Sequence, residues 1–298
     1  MKRLALVLLL ALTARADFRE FTDVPRDPSL EVRLRTAAAV TMKAYPKLGA
    51  NDLALSLIDV TRPDLLARAD YQGDTPFYPA SVIKLFFMAD VYATHKEKTG
   101  DVARALEEMI TVSDNDATAY LVDLLADTVP GPPLEGRALR RYVERRRDIN
   151  RRFQTLGYAN HVSAMMKPWT FGPYGVDLQV LGKDRENRNL LTANATASML
   201  LWIVRGRAPG AQAMMPLLER PLATPREEEN QVREFIGEAL PSGSRLWSKA
   251  GWTSEVRHDA AYFELPTGRK LILVIFTRGT GDEVTIIPAV TRIVLGEL

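Results

Sequence analysis

The stretch Tyr78–Tyr92, YPASVIKLFFMADVY, puts a serine, Ser81, three residues ahead of a lysine, Lys84, at the head of an apolar run. Three residues along a helix bring two side chains to one face. Leu85-Phe86-Phe87-Met88 is apolar all round, the pattern of a helix buried on every side. Two readings of Ser81 follow. In one it is a helix N-cap with a lysine nearby, since serine is a favoured cap. In the other it is a nucleophile with its base. A serine hydroxyl attacks only when a base takes its proton, and a lysine is a base only when burial or a neighbouring cation lowers its pKa. Alone, S-x-x-K is too common to decide.

The surrounding chain supplies context. Ser113-Asp114-Asn115 precedes a segment in which Ala117, Tyr120, Leu121, Leu124 and Leu125 share one face, so Asp114 or Asn115 suits the cap of a helix. Lys249-Ala250-Gly251 lies inside LWSKAGWT, a strand-like run. Strand patterns also occur at LALSLIDV (53–60), LLARADYQ (65–72), AAYFEL (260–265) and KLILVIFTRG (270–279). Helices are expected over 29–45, over much of 81–220, from a Thr192 cap onward, and over 286–298, with an exposed, proline-marked start near Pro25 and Pro28. Strands at both ends with helices between predict an α/β (α+β) fold. An antiparallel sheet built from N- and C-terminal strands is flanked by helices and carries an inserted all-helical subdomain. The expected division is 1–16 leader, 17–80 and 216–298 for the two parts of the α/β domain, and 81–215 for the helical block.

Composition narrows the function. A net charge of +2 gives no general pull toward nucleic acid. MKRLALVLLLALTARA has a basic start, a short apolar run and an A-x-A site, as in a cleaved secretory leader, and no later run is long enough to span a membrane. With no cysteine, disulfides, zinc–thiolate sites and a cysteine nucleophile are excluded. His95, His161 and His258 lie far apart without ligand spacing, so no metal or other cofactor is expected. Eight arginines between Arg137 and Arg152, with a stripe of Leu139, Val143, Ile149, Phe153 and Leu156, read as an amphipathic helix with a solvated basic face. Binding of an anionic cell-surface polymer is the sharper alternative.

Together, S-x-x-K, then S-D-N before a helix, then a lysine and glycine on a late strand resemble the active-site-serine penicillin-recognising enzymes, the class A β-lactamases and penicillin-binding proteins. The flanks ALEEMITVSDNDATAYLVDLL and KAGWTSEVRHDAAYFELPTGRKLILVIFTRG are similar too, and the resemblance spans about residues 37–298. It implies a β-lactamase/transpeptidase-like fold and acyl transfer through Ser81. Lys84 would be the base or a proton relay, and Ser113 would pass a proton toward the leaving nitrogen. Asn115 would hold Lys84 and the substrate amide, and Lys249 would add positive charge beside Ser113. The N–H groups of Ser81 and Trp252 would form an oxyanion hole. Gly251 and Thr253 would line the substrate strand, and Arg257 would pair with a substrate carboxylate.

The sequence departs from the family at three points. Ala250 replaces the usual Thr or Ser, leaving Thr253 and Ser254 as the hydroxyls at hand. The interval from Ser81 to Ser113 is shorter than in typical class A enzymes. The E-x-x-L-N that carries the deacylating glutamate is missing; in GPYGVDLQVLGKDRENRN (172–189), Asp177 lies nearest its position. The expected activity is a β-lactamase-like serine hydrolase, monomeric, periplasmic or secreted, acting on a β-lactam or a cell-wall peptide. The alternatives are a D-Ala-D-Ala-type peptidase or amidase with slow deacylation, and a non-catalytic binding protein with a decayed site.

Overall fold

The computed structural model describes residues 18–94, 100–169, 171–223 and 231–296. The leader expected over 1–16 and His95 lie outside them.

In chain order the helices are α1 (Phe18–Asp23), α2 (Pro28–Ala44), α3 (Lys84–Thr94), α4 (Gly100–Thr111), α5 (Asn115–Ala126), α6 (Gly136–Thr155), α7 (Gly175–Leu181), α8 (Ala193–Val204), α9 (Ala211–Leu218) and α10 (Ile286–Leu295). The strands are β1 (Leu53–Asp59), β2 (Ala67–Tyr71), β3 (Val162–Ser163), β4 (Leu190–Leu191), β5 (Glu219–Arg220), β6 (Arg245–Trp252), β7 (Val256–Glu264) and β8 (Lys270–Arg278). One six-stranded sheet runs β2-β1-β8-β7-β6-β5, and all its pairs are antiparallel. The N-terminal hairpin is therefore joined to the C-terminal strands along β1–β8, where Leu53 faces Thr277 and Asp59 faces Leu271. This is the expected architecture, with α3 to α9 intervening.

Both faces of the sheet are covered, so β1 and β8 read as near-continuous apolar runs. On one face lie α2 and α10, with Leu34, Ala38, Ile287 and Val290 against Leu55, Leu57, Leu273 and Ile275. On the other, α8 and α3 fill the space between sheet and helical block with Leu200, Met199, Phe86 and Phe87. The caps follow the sequence. Asp27 takes Ser29 N and Leu30 N, Asp114 takes Ala117 N, and Thr192 Oγ1 takes Ala195 N.

Two expectations change. Pro25 and Pro28 are exposed, as expected, but the segment just ahead of them is not: α1 buries Phe18 and Phe21, with Phe18 against Tyr158, and Phe18 N–H donates to Leu156 O. Nor is the basic face of α6 simply solvated. Arg146 is fully buried, Arg152 grips Asp90 with two nitrogens, and Arg145, Arg147 and Arg151 pair with Asp127, Glu144 and Asp148. No described helix is long and apolar enough to cross a membrane.

Candidate active site

Ser81 sits in a 3-10 turn, Ala80–Ile83, that runs into α3 at Lys84. In a 3-10 turn residues i and i+3 eclipse, so Ser81 and Lys84 are stacked on one side of the chain. Ser81 caps nothing; the turn has no side-chain cap. Ala80, just before it, has φ 45°, a left-handed conformation costly for an alanine. Two contacts hold that conformation. His258 Nε2 donates to Tyr78 O at 2.8 Å while its Nδ1 accepts from Thr277 N at 3.1 Å. Burial pushes the imidazole down to about 4, so it is neutral and its tautomer is set by these partners. On the other side Gly251 of β6 lies against the turn. A Cβ there would stand 2.5 Å from Ser81 N and 2.7 Å from Val82 N, so only glycine permits the approach.

Lys84 is fully buried, and its nitrogen lies within hydrogen-bond distance of Ser113 O, of Ser113 Oγ at 3.1 Å and of Asn115 Oδ1 at 2.8 Å. Burial brings its pKa to about 7, with Asp114 pulling weakly the other way. Ser113 is itself left-handed, φ 61°, which turns its carbonyl and hydroxyl together toward the lysine. Lys249 reaches the same hydroxyl from β6 at 3.0 Å and also donates to Gln231 Oε1 and Ala250 O, both at 2.7 Å. Its pKa lies well below the ordinary lysine value through burial, then repulsion from Lys84 and Arg220.

These groups surround a cleft of about 720 Å³ lined by Ser81, Ser113, Asn115, Arg220, Gln231 and Trp252. Gln231 and Arg220 were not foreseen. Gln231 is buried; it accepts from Lys249 and from Ala250 N at 3.0 Å and donates to Ile110 O and Thr111 O. It therefore ties β6 to the end of α4. Arg220 donates to Ile110 O and Ser248 O, and burial lowers its pKa to about 10. A cation beside a late strand, with no motif around it, offered no signal.

The remaining expected residues stand apart. Ala250 is fully buried in the apolar cluster with Val232, Phe235 and Ile236. Thr253 Oγ1 accepts from Glu255 N and Val256 N in the β6–β7 turn. Arg257 pairs with Glu234 at 3.2 Å, donates to Gly281 O and lies over the Phe235 ring. Asp177 is on α7 with both oxygens engaged, by Arg146 at 3.1 Å and Lys167 at 2.8 Å. The same two cations hold Asp123 at 2.7 and 3.0 Å. Among the described residues no cluster of three or more His, Asp or Glu groups could hold a metal ion.

Known structures share this fold. A β-lactamase from Sphaerobacter thermophilus is 21% identical, with 87% of this chain and 95% of that one aligned and a TM-score of 0.63. The protein PBP-A is 18% identical over 91% and 96%, TM-score 0.62, and a PBP-A mutant 16% identical over 92% and 97%, TM-score 0.60. No curated protein sequence matches. The family model described as the beta-lactamase enzyme family matches residues 94–298, and with the two lysines converging on Ser113 beside Ser81, the chain belongs to that family.

Proposed function

We propose that the chain is an exported, monomeric serine hydrolase that opens β-lactams and D-amino-acid amides by acyl transfer to Ser81. Its site lies where the helical block, 81–215, meets the two parts of the α/β domain, 17–80 and 216–298. The observation that carries this reading is the pair of buried amines on Ser113 Oγ beside the Ser81 turn. Neutral Lys84 takes the Ser81 proton, Ser81 Oγ bonds to the carbonyl carbon, and the C–N bond breaks as Ser113 delivers its proton to nitrogen and regains one from the protonated Lys84. Asn115 orients Lys84 and the substrate amide. The N–H groups of Ser81 and Trp252 receive the oxyanion, a geometry that the tight Gly251–Ser81 approach favours. Arg220 gives the cleft positive charge for a substrate carboxylate, while Arg257 is committed to Glu234.

Release of the acyl group is the slow step in this reading. Hydrolysing the ester needs a base on a water. Among the described residues lining the cleft the one carboxylate is Glu219, which pairs with Arg245 at 3.2 Å. Asp177 is held by Arg146 and Lys167. This favours a penicillin-binding type of enzyme over a fast β-lactamase. The structure of the PBP-A mutant is an acyl-enzyme complex with penicillin G, the species expected to accumulate here. Incubation with a fluorescent penicillin, followed by intact mass, tests it. A long-lived adduct that Ser81→Ala abolishes supports the proposal. Rapid turnover replaces it with a β-lactamase, and labelling that survives Ser81→Ala removes Ser81 as nucleophile.

A further inference from the structure

A second cavity, of about 640 Å³, opens on the α7 side of the nucleophile turn. It is lined by Tyr78, Trp169, Leu178, Arg188, Thr253 and Ser254. Tyr78 is three residues before Ser81, and Thr253 directly follows Trp252 of the catalytic cleft, so the cavity continues the path of a substrate bound along β6. The guanidinium of Arg188 lies over the Tyr78 ring at 3.6 Å. It is half-buried, and no ion pair or side-chain hydrogen bond to it is present among the described residues. On α6, by contrast, Arg145, Arg146, Arg147, Arg151 and Arg152 are each matched by a carboxylate. A cation stacked on an aromatic ring is fixed in direction while its N–H fork stays free for a planar anion.

Resting on the acyl-transfer reading, we propose that this cavity is a side-chain subsite for acyl groups that end in a carboxylate, with Arg188, held by Tyr78, as the residue that recognises it. Glu255, Asp184 and Arg185 also border the cavity, but all three are exposed, so water screens them. Arg188 is the less solvated charge and dominates the field that a bound side chain meets. Trp169 and Leu178 supply apolar wall for the methylenes that lead to the carboxylate.

The test uses binding, so that it does not depend on catalysis. Ser81→Ala is titrated calorimetrically with 6-acylaminopenicillanates carrying succinyl, glutaryl or adipoyl side chains, each against the alkanoyl compound of equal length. At least one dicarboxylic compound should bind about tenfold tighter than its neutral partner, as a bidentate guanidinium–carboxylate contact in a partly desolvated site permits. In Ser81→Ala/Arg188→Gln the ratio should fall to near one; in Ser81→Ala/Arg188→Lys, which keeps charge without the fork, it should be intermediate. No preference at any length, no detectable binding of either set, or a preference that survives Arg188→Gln overturns the subsite. If the preference is present but the parent chain forms no Ser81 adduct with any penicillin, the acyl-transfer reading falls and the subsite stands.

Discussion

Lys84 and Lys249 share one oxygen: their nitrogens lie 3.1 and 3.0 Å from Ser113 Oγ. A hydroxyl has two lone pairs and one proton. With both amines charged, both lone pairs are taken and two cations face each other. Loss of a proton from Lys84 relieves the repulsion and lets the Ser113 O–H donate to the free amine, so the pair titrates as a unit. In the proposed mechanism the acylating form is neutral Lys84, so acylation should rise with pH through about 7 and then level. Repulsion is mutual, so in Lys249→Gln the inflection moves to higher pH while the plateau rate falls about 10²-fold. Stopped-flow acylation by a chromogenic cephalosporin reads both. An inflection that stays put in Lys249→Gln would separate the two lysines.

Gly251→Ala tests the approach of β6 to the nucleophile turn. The added methyl meets backbone, Ser81 N and Val82 N, and neither can swing aside as a side chain would. The strand must retreat from the turn, at a cost of about 1–3 kcal/mol in stability. Acylation should fall further than stability does, because the oxyanion donors separate. Thermal unfolding and the second-order acylation rate, measured side by side, show whether the two losses differ.

Asp177→Asn distinguishes a structural carboxylate from a deacylating one. Asp123, Arg146, Lys167 and Asp177 form a quartet of two buried cations and two half-buried anions that ties α7 to α5 and α6. Removing one anion leaves an unmatched buried cation, a loss of about 3–5 kcal/mol. The melting temperature should drop, while the half-life of a penicilloyl adduct at low temperature stays within about twofold. A half-life lengthened more than about tenfold, with stability retained, would make Asp177 the base after all.

Neighbouring residues on β7 should give opposite pH signatures. His258 titrates near 4 in the fold against about 6.5 when unfolded, so the stability it contributes is complete above about 6.5 and is lost as pH falls toward 4. Asp259, whose carboxylate is raised to about 7 by burial, contributes stability that is complete below about 3.8 and is lost as pH rises toward 7. Between pH 4.5 and 6.5 the two slopes, each about 1.4 kcal/mol per pH unit, offset each other. Asp259→Asn should make stability climb with pH relative to the parent chain, and His258→Gln should make it decline. Urea unfolding across that range checks both signs.

What the sequence disclosed about this site follows from where its information lies. Ser81 with Lys84, and Ser113 with Asn115, are each carried by a single turn, so local spacing fixes their relation. Lys249 and Gly251 are two apart on one strand and were legible for the same reason. Gln231 was invisible because its partners, Ile110, Thr111, Lys249 and Ala250, come from two remote segments and its own neighbours form no pattern. Asp177 was drawn toward the nucleophile by its position in the chain, whereas the cations that hold it are Arg146, 31 residues before it, and Lys167. The sheet was readable from its apolar runs; α1 was not, since Phe18 and Phe21 mark too short a period to separate a helix from a lead-in.

The β1–β8 ladder bears on when this site comes into being. Leu53 pairs with Thr277, so the first strand of the sheet has no partner on that edge until almost the whole chain exists. Gly251 reaches the Ser81 turn only as part of the same late strands. Contacts of such separation form slowly, since a long loop must close before they stabilise anything. In the proposed mechanism a folding chain should therefore hold Ser81 in an unassembled, unreactive turn until its last strands dock. Penicillin labelling would then serve as a clock for the final folding step, reporting β6 docking and not the earlier collapse of the helices.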